Sequence, residues 1–135
     1  MGKINWAKVI LGGLTAGIVY NVIEGISGAL TMEEVTAAMK AHNLSMNQSP
    51  AMMVIYLGLG FLFGILGVWI YAAIRPRFGP GPNTALIAAF VVWLFYFGSI
   101  IGWASIGLYS GKLIITWTIV GLVESVIAIL LGAWI

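Results

Sequence analysis

Four long apolar runs separated by short polar segments constrain this chain more than any other feature. The runs cover residues 6–30, 51–74, 84–108 and 113–135 of a 135-residue sequence. A helix needs roughly 20 apolar residues to cross about 30 Å of hydrocarbon, and every run is long enough. Only 7% of the residues are charged, whereas soluble proteins carry about 25%. The sequence therefore predicts one all-α domain, an integral membrane bundle of four transmembrane helices.

The polar segment between the first two runs predicts a further element. It reads TMEEVTAAMKAHNLSMNQSP and opens with Thr31, followed three residues later by Glu34. That spacing is typical of a capping box at the start of a helix. Val35 and Met39 then fall on one side of the helix. We expect a short amphipathic helix at the membrane surface, in the loop between transmembrane helices 1 and 2.

The basic residues predict the orientation of the chain. Four helices place both termini on one side of the membrane, and cytoplasmic flanks carry an excess of Lys and Arg. The side of the termini carries Lys3, Lys8, Arg75 and Arg77, and the opposite side carries Lys40 and Lys112. This excess predicts cytoplasmic termini, with a dual-topology chain as the alternative. We interpret Arg75 and Arg77 as membrane anchors. The alternative is that they bind an anionic lipid head group or the acidic loop of a partner.

Three segments carry a resemblance to known proteins. They are YAAIRPRFGPGPNTAL (residues 71–86), YNVIEG (residues 20–25) and GLVESVIAILLGAWI (residues 121–135). Together they resemble a group of small four-helix bacterial inner-membrane proteins, and the resemblance extends over most of the chain. It implies the four-helix fold and a location in the bacterial inner membrane. It implies no activity.

Two glutamates lie inside apolar runs. Glu24 is in the first run and Glu124 is in the last, whereas the other two acidic residues are in the polar segment. Counted at 1.5 Å per residue from the ends of the runs, they lie about 9 Å and about 16 Å below the outer membrane boundary. A carboxylate in hydrocarbon costs at least a few kcal/mol. Both side chains are therefore expected to face the bundle interior or a wet cavity.

Helical spacing adds polar neighbours to these glutamates. Tyr20 and Asn21 precede Glu24 by about one turn, and Ser125 follows Glu124. We interpret these five residues as a site for a ligand, a proton or a cation. The alternative is a neutral, hydrogen-bonded pair that joins helices 1 and 4 or contacts another subunit. Interhelical hydrogen bonds contribute only about 0.6 kcal/mol on average, which favours the functional interpretation.

Two classes of function remain open. In the first, the protein binds or transports a small solute, proton or cation through the carboxylate pair. In the second, it is a homo-oligomer or a non-catalytic subunit of a larger membrane complex, docked through small faces such as Gly98 and Gly102. An enzyme is the least favoured class, because the sequence contains no arrangement of a nucleophile with a base.

Composition also limits the partners. The sequence has no Cys and one His, which argues against iron–sulfur, haem and thiolate metal sites. We therefore expect no cofactor and no metal. The six Lys and Arg residues are spread along the chain and form no patch for nucleic acid. The lipid bilayer is the partner that the sequence predicts.

Overall fold

The computed structural model describes residues 4–135, and it confirms an all-α fold of four helices. Lys3, one of the four basic residues on the side predicted to be cytoplasmic, lies outside the described residues. The helices are α1 (Trp6–Ala41), α2 (Pro50–Phe78), α3 (Pro82–Ile106) and α4 (Gly111–Trp134). Each is long and apolar enough to cross a membrane. The protein is therefore suited to crossing a lipid bilayer several times.

Side-chain caps fix the start of three helices. Asn5 Oδ1 accepts a hydrogen bond from the Lys8 amide at 3.2 Å. Ser49 and Ser110 do the same for α2 and α4, at 3.4 Å and 3.2 Å. The first amides of a helix have no partner within the helix. Each cap satisfies one of them, which limits unpaired polar groups close to the membrane.

The polar segment after the first run is helical, but the expectation of a separate surface helix is wrong. Thr31 does not begin a helix, because its Oγ1 donates a hydrogen bond to the Ser27 carbonyl at 2.9 Å within a continuous α1. No Gly or Pro lies between residues 29 and 41 to break the helix. It ends at Ala41, just before Asn43 adopts a positive φ of 57°.

The connection between α2 and α3 is tight. Gly79 and Gly81 adopt φ values of 83° and 132°, which a residue with a Cβ rarely adopts. Thr84 Oγ1 donates to the Gly79 carbonyl at 2.7 Å. The Gly81 amide donates to the Tyr71 hydroxyl at 3.3 Å. These bonds hold the loop against the end of α2.

The four helices form a bundle with a square cross-section. α1 packs against α2 and α4, and α3 packs against the same two helices. α2 and α4 also touch across one diagonal, whereas the backbones of α1 and α3 make no contact within residues 4–135. Any interaction between α1 and α3 must therefore be made by long side chains.

One end of the bundle is densely packed, and we call it the packed half. It comprises residues 6–20, 61–78, 82–95 and 121–134. Its core is built from small and branched side chains, including Ala16, Val68, Ala88, Val92 and Ile129. Glycines bring α1 and α2 close together, since a Cβ on Gly13 would lie 2.5 Å from the Ile65 Cα. Close backbone approach of this kind drives helix association in lipid.

The other end is loosely packed, and we call it the open half. It comprises residues 21–41, 50–60, 96–106 and 111–120. Within these segments the buried residues are Ser27, Val35, Ile100 and Leu113. A Cβ added at Gly25, Gly28, Gly58, Gly98 or Gly102 would meet no atom within 4 Å. An ion pair between Lys112 and Glu34 joins the start of α4 to α1 in this half.

Candidate functional site

The two intramembrane glutamates approach each other at the boundary between the packed and open halves. The carboxyl of Glu124 on α4 lies close to the carboxyl of Glu24 on α1. A carboxylate accepts hydrogen bonds but cannot donate them, so this contact becomes a hydrogen bond only when one carboxyl is protonated. Glu124 Oε2 is buried and has no hydrogen-bond partner among residues 4–135.

The burial of the two carboxyls differs. Glu124 is only 2% exposed, in agreement with the expectation of an interior position. Glu24 is exposed on the surface of the single chain. Both side chains were expected to face the bundle interior or a wet cavity, and the Glu24 carboxyl meets Tyr96 and Glu124 of the bundle although the residue as a whole remains exposed. The site has one enclosed and one accessible carboxyl.

The site lies close to the middle of α1 and α4. Along the open half, the Lys112–Glu34 ion pair marks the level beyond the carboxyls at which charged side chains occur again. Glu24 precedes Glu34 by ten residues and Glu124 follows Lys112 by twelve, so they lie about 15 Å and about 18 Å from that level. The sequence-based depth of about 9 Å for Glu24 was counted from Leu30. The distance to the ion pair is larger because α1 continues past Leu30 to Ala41.

Tyr96 is a member of the site that the sequence analysis missed. Its hydroxyl donates a hydrogen bond to Glu24 Oε1 at 3.2 Å and also lies near Glu124. Tyr96 is on α3, so its side chain crosses the bundle to reach α1. A Cβ on Gly121 would overlap the Tyr96 ring. The glycine therefore leaves the space through which the tyrosine passes.

A signal for Tyr96 was present in the sequence. It lies twelve residues before Leu108, the end of the third run, and therefore about 18 Å below the predicted boundary. Glu124 was placed at about 16 Å by the same measure. Tyr96 and Glu124 are thus polar residues at similar depth on different apolar runs, and this similarity predicts that they lie close together.

Tyr20, which was grouped with Glu24 along helix 1, lies beside Glu124, as Ser125 does. Tyr20 and Ser125 are 5% and 1% exposed. The Tyr20 hydroxyl is close to the Ser125 side chain and the Glu124 carboxyl, yet it makes no hydrogen bond in the part of the chain that the structure describes. We use the name carboxyl site for the group formed by Tyr20, Glu24, Tyr96, Glu124 and Ser125.

Asn21 does not join the carboxyl site, so its proposed grouping with Glu24 is wrong. Its Nδ2 donates to the Gly17 carbonyl at 2.9 Å and to the Leu57 carbonyl of α2 at 3.2 Å. Consecutive residues of a helix point about 100° apart. Tyr20 therefore faces the core while Asn21 faces α2, where it satisfies a backbone carbonyl of that helix.

The carboxyl site is closed toward the packed half and accessible from the open half. Ala16, Ala128 and Ile129 are fully buried on the closed side. Three aromatic rings lie toward the other end of α4, where Tyr109 packs between Trp103 and Trp117 with ring centroids 6.0 Å and 4.9 Å away. A small molecule can therefore approach Glu24 without passing through the core.

No basic side chain that the structure describes neutralises the two carboxyls. Lys8, Arg75 and Arg77 are at the packed end, and Lys40 and Lys112 are at the other. Two unit charges 4 Å apart repel by about 4 kcal/mol at an effective dielectric constant near 20. One proton or one cation between the carboxyls would remove this repulsion, and the arrangement is chemically suited to hold either.

The structure separates the two arginines that the sequence analysis treated as a pair. Arg75 lines a cavity of about 550 Å³ at the packed end, together with Lys8. Both arginines are exposed, but Arg77 is not among the residues that line this cavity. The two arginines therefore have different surroundings although they are two residues apart.

Comparison of the chain with protein-family models, with curated proteins and with solved structures finds no match.

Proposed function

We propose that the protein binds, and moves across the membrane, a proton or a small cation held between Glu24 and Glu124. The observation that supports this proposal most directly is the meeting of two carboxyls midway along the helices, with no basic side chain beside them among residues 4–135. A bound proton or cation neutralises the pair at the depth where an uncompensated charge is most expensive.

The differing exposure of the two carboxyls supports exchange with the surroundings. Glu24 is accessible from the open half, whereas Glu124 is enclosed. An incoming cation would meet Glu24 and Tyr96 first and would then be shared with Glu124. Tyr96 holds the Glu24 carboxyl in place through its hydrogen bond, which limits the reorganisation that binding requires. A protonated pair and a cation-loaded pair are thus competing states of the same site.

A test of this proposal measures protonation and cation binding on the purified chain. Infrared difference spectra across a pH titration report the carbonyl stretch of a protonated carboxyl, and titration with tetramethylammonium at fixed pH reports cation binding and proton release. We expect Glu124→Gln to remove the carboxyl signal, and Glu124→Gln and Glu24→Gln to weaken cation binding by about tenfold or more. Glu33→Gln is the matched control, because Glu33 is exposed and far from the pair.

The same variants distinguish a binding site from a structural contact. If both glutamine variants bind the cation as the wild type does and release the same protons, the carboxyl site is not a binding site. If they change only the free energy of unfolding, the pair serves to join α1 and α4. Transport is then measured in proteoliposomes that contain a pH-sensitive dye, with Glu124→Gln as the inactive reference.

A second candidate function is that of an accessory subunit in a larger membrane complex. Gly98 and Gly102 lie one turn apart on α3, both exposed, and a Cβ at either would meet no atom within 4 Å. Such a face allows close approach of another helix in lipid. Extraction in a mild detergent tests this candidate. Co-purification with another chain at fixed stoichiometry, lost in Gly98→Leu, would favour it over a transporter.

We further propose that the chain resides in a bacterial inner membrane with its packed half toward the cytoplasm. The described basic residues support this orientation, with Lys8, Arg75 and Arg77 at the packed end and two lysines at the other. The sequence has no cysteine, so single cysteines can be added at Pro80 and Asn47. An impermeant maleimide should label the Asn47 variant of intact spheroplasts and leave the Pro80 variant unlabelled.

A further inference from the structure

A cavity at the packed end of the bundle has the composition of a binding site for a phosphate group. Its volume is about 550 Å³, and it lies where the start of α1 meets the ends of α2 and α4. Val68 and Val9 belong to its apolar lining, and Asn5, Tyr71 and Trp134 contribute polar or aromatic groups. The cavity is far from the carboxyl site, from which buried Ala16, Ala128 and Ile129 separate it.

Positive charge dominates this cavity. Lys8 and Arg75, from two different helices, both line it, and no acidic side chain is among its lining residues. The chain has only four acidic residues, two in the carboxyl site and two toward the opposite end of the bundle. The cavity lining therefore carries two basic side chains and no acidic one. An anion would gain favourable interactions with both cations.

The donors in the cavity are available to a ligand. Lys8 Nζ donates to the backbone oxygen of Ile135 at 3.1 Å, which leaves two of its three protons free. The Arg75 side chain makes no ion pair within residues 4–135. A guanidinium presents parallel N–H groups that match two phosphate oxygens, whereas an ammonium acts as a point charge. The combination fits a phosphate bound between α1 and α2.

The position of the cavity favours a lipid as the source of the phosphate. It opens at the end of membrane-crossing helices, the level at which head groups lie. Trp134 and Phe78 near this level are 87% and 57% exposed, so apolar surface for acyl chains lies next to the charged cavity. Basic pockets between transmembrane helices on the cytoplasmic side are suited to anionic head groups.

We propose that this cavity binds the phosphate of an anionic phospholipid, with Arg75 and Lys8 as its ligands and Arg77 outside the site. The proposal is independent of the function of the carboxyl site. It also replaces the general anchoring role of the two arginines by a specific role for one of them. Free inorganic phosphate shares the same chemistry and is the alternative source that the experiment must separate.

The experiment is a native mass spectrometry titration of the purified full chain with phosphatidylglycerol. Phosphatidylcholine, which carries no net charge, is the comparison lipid, and inorganic phosphate is added as a competitor at constant ionic strength. We expect Arg75→Gln and Lys8→Gln each to weaken phosphatidylglycerol binding by about tenfold, and Arg77→Gln to change it by less than about twofold. Arg75→Lys keeps the charge and should give an intermediate affinity.

Three outcomes would overturn the proposal. Equal losses in Arg75→Gln and Arg77→Gln would show that only the total surface charge matters. Equal affinity for phosphatidylcholine and phosphatidylglycerol would show that the cavity does not recognise the net negative charge of the lipid. Arg75-dependent binding of inorganic phosphate without any preference for phosphatidylglycerol would assign the cavity to free phosphate. Circular dichroism and the thermal transition of each variant exclude misfolding as the cause of a loss.

Discussion

The packed and open halves of the bundle use the same four helices in different ways. In the packed half, glycines and alanines bring the helix backbones together around a core of Val68, Val92 and Ile129. In the open half, six glycines face open space, and few side chains are buried. Small residues are therefore not sufficient for close helix packing. A small residue must also find another helix opposite it.

The position of the carboxyl site follows from this difference. Glu124 extends from the last well-packed turns of α4, so it is fixed by its surroundings and isolated from solvent. Glu24 begins the loosely packed part of α1 and is accessible. A binding site needs both properties, because its groups must be held in place and its ligand must be able to enter. The boundary between the two halves is the place in this bundle that offers both.

The largest effect is expected from a change in the packed half. A Cβ on Gly64 would lie 2.9 Å from the Gly17 Cα and closer still to neighbouring backbone atoms. Gly64→Ala should therefore lower the free energy of unfolding by about 1–3 kcal/mol. Gly98→Ala is the matched control, since it meets no atom and removes a glycine from a helix, which raises helix propensity by up to about 1 kcal/mol. Unfolding in mixed micelles measures both changes. Equal losses of unfolding free energy in Gly64→Ala and Gly98→Ala would contradict the difference in packing between the two halves.

An intermediate effect is expected at the boundary between the halves. Gly121→Ala should displace the Tyr96 ring and break its hydrogen bond to Glu24, at a cost of about 0.5–1.5 kcal/mol beyond any steric strain. Tyr96→Phe removes the same bond directly. A double-mutant cycle should give a coupling energy clearly different from zero. Gly111→Ala, where a Cβ meets open space, is the control. Additive effects would mean that Gly121 does not position Tyr96.

The smallest effect is expected in the open half. Lys112 and Glu34 form an ion pair, but their side chains are 76% and 43% exposed. Exposed pairs of this kind contribute about 0.2–1 kcal/mol. Lys112→Ala should lower the free energy of unfolding within that range, and the difference should decrease as salt is added. Lys40→Ala provides the comparison with an unpaired lysine. A loss of several kcal/mol would show that the open half is held together more firmly than its packing indicates.

The sequence predicted the four helices and much of the carboxyl site. Apolar runs of more than 20 residues permit few structures in a membrane, because backbone polar groups must be satisfied within the segment. The cost of a charge in hydrocarbon also selected Glu24 and Glu124 as residues of interest. Their meeting was a reasonable expectation from depth alone. Tyr20 and Ser125 followed from their proximity to the glutamates along the helices.

Other features depended on the arrangement of the helices. That Asn21 faces α2 could not be predicted from the sequence, since residues next to each other along a helix point in different directions. Tyr96 joins the carboxyl site only because Gly121 leaves room for its ring. Arg75 and Arg77 have the same charge and nearly the same position in the sequence, yet only Arg75 lines the cavity with Lys8.

The amino-acid sequence by itself therefore determined which segments can cross a membrane and which carboxyls cost free energy when placed there. Both depend on the free energy of transferring individual groups from water into hydrocarbon. This free energy is set by residue type and can be assessed without knowing the neighbouring residues. The tertiary structure decided which carboxyl is enclosed, which tyrosine reaches it and which arginine faces a cavity. These depend on the rotation and spacing of whole helices, which are set by small residues that find, or fail to find, another helix opposite them.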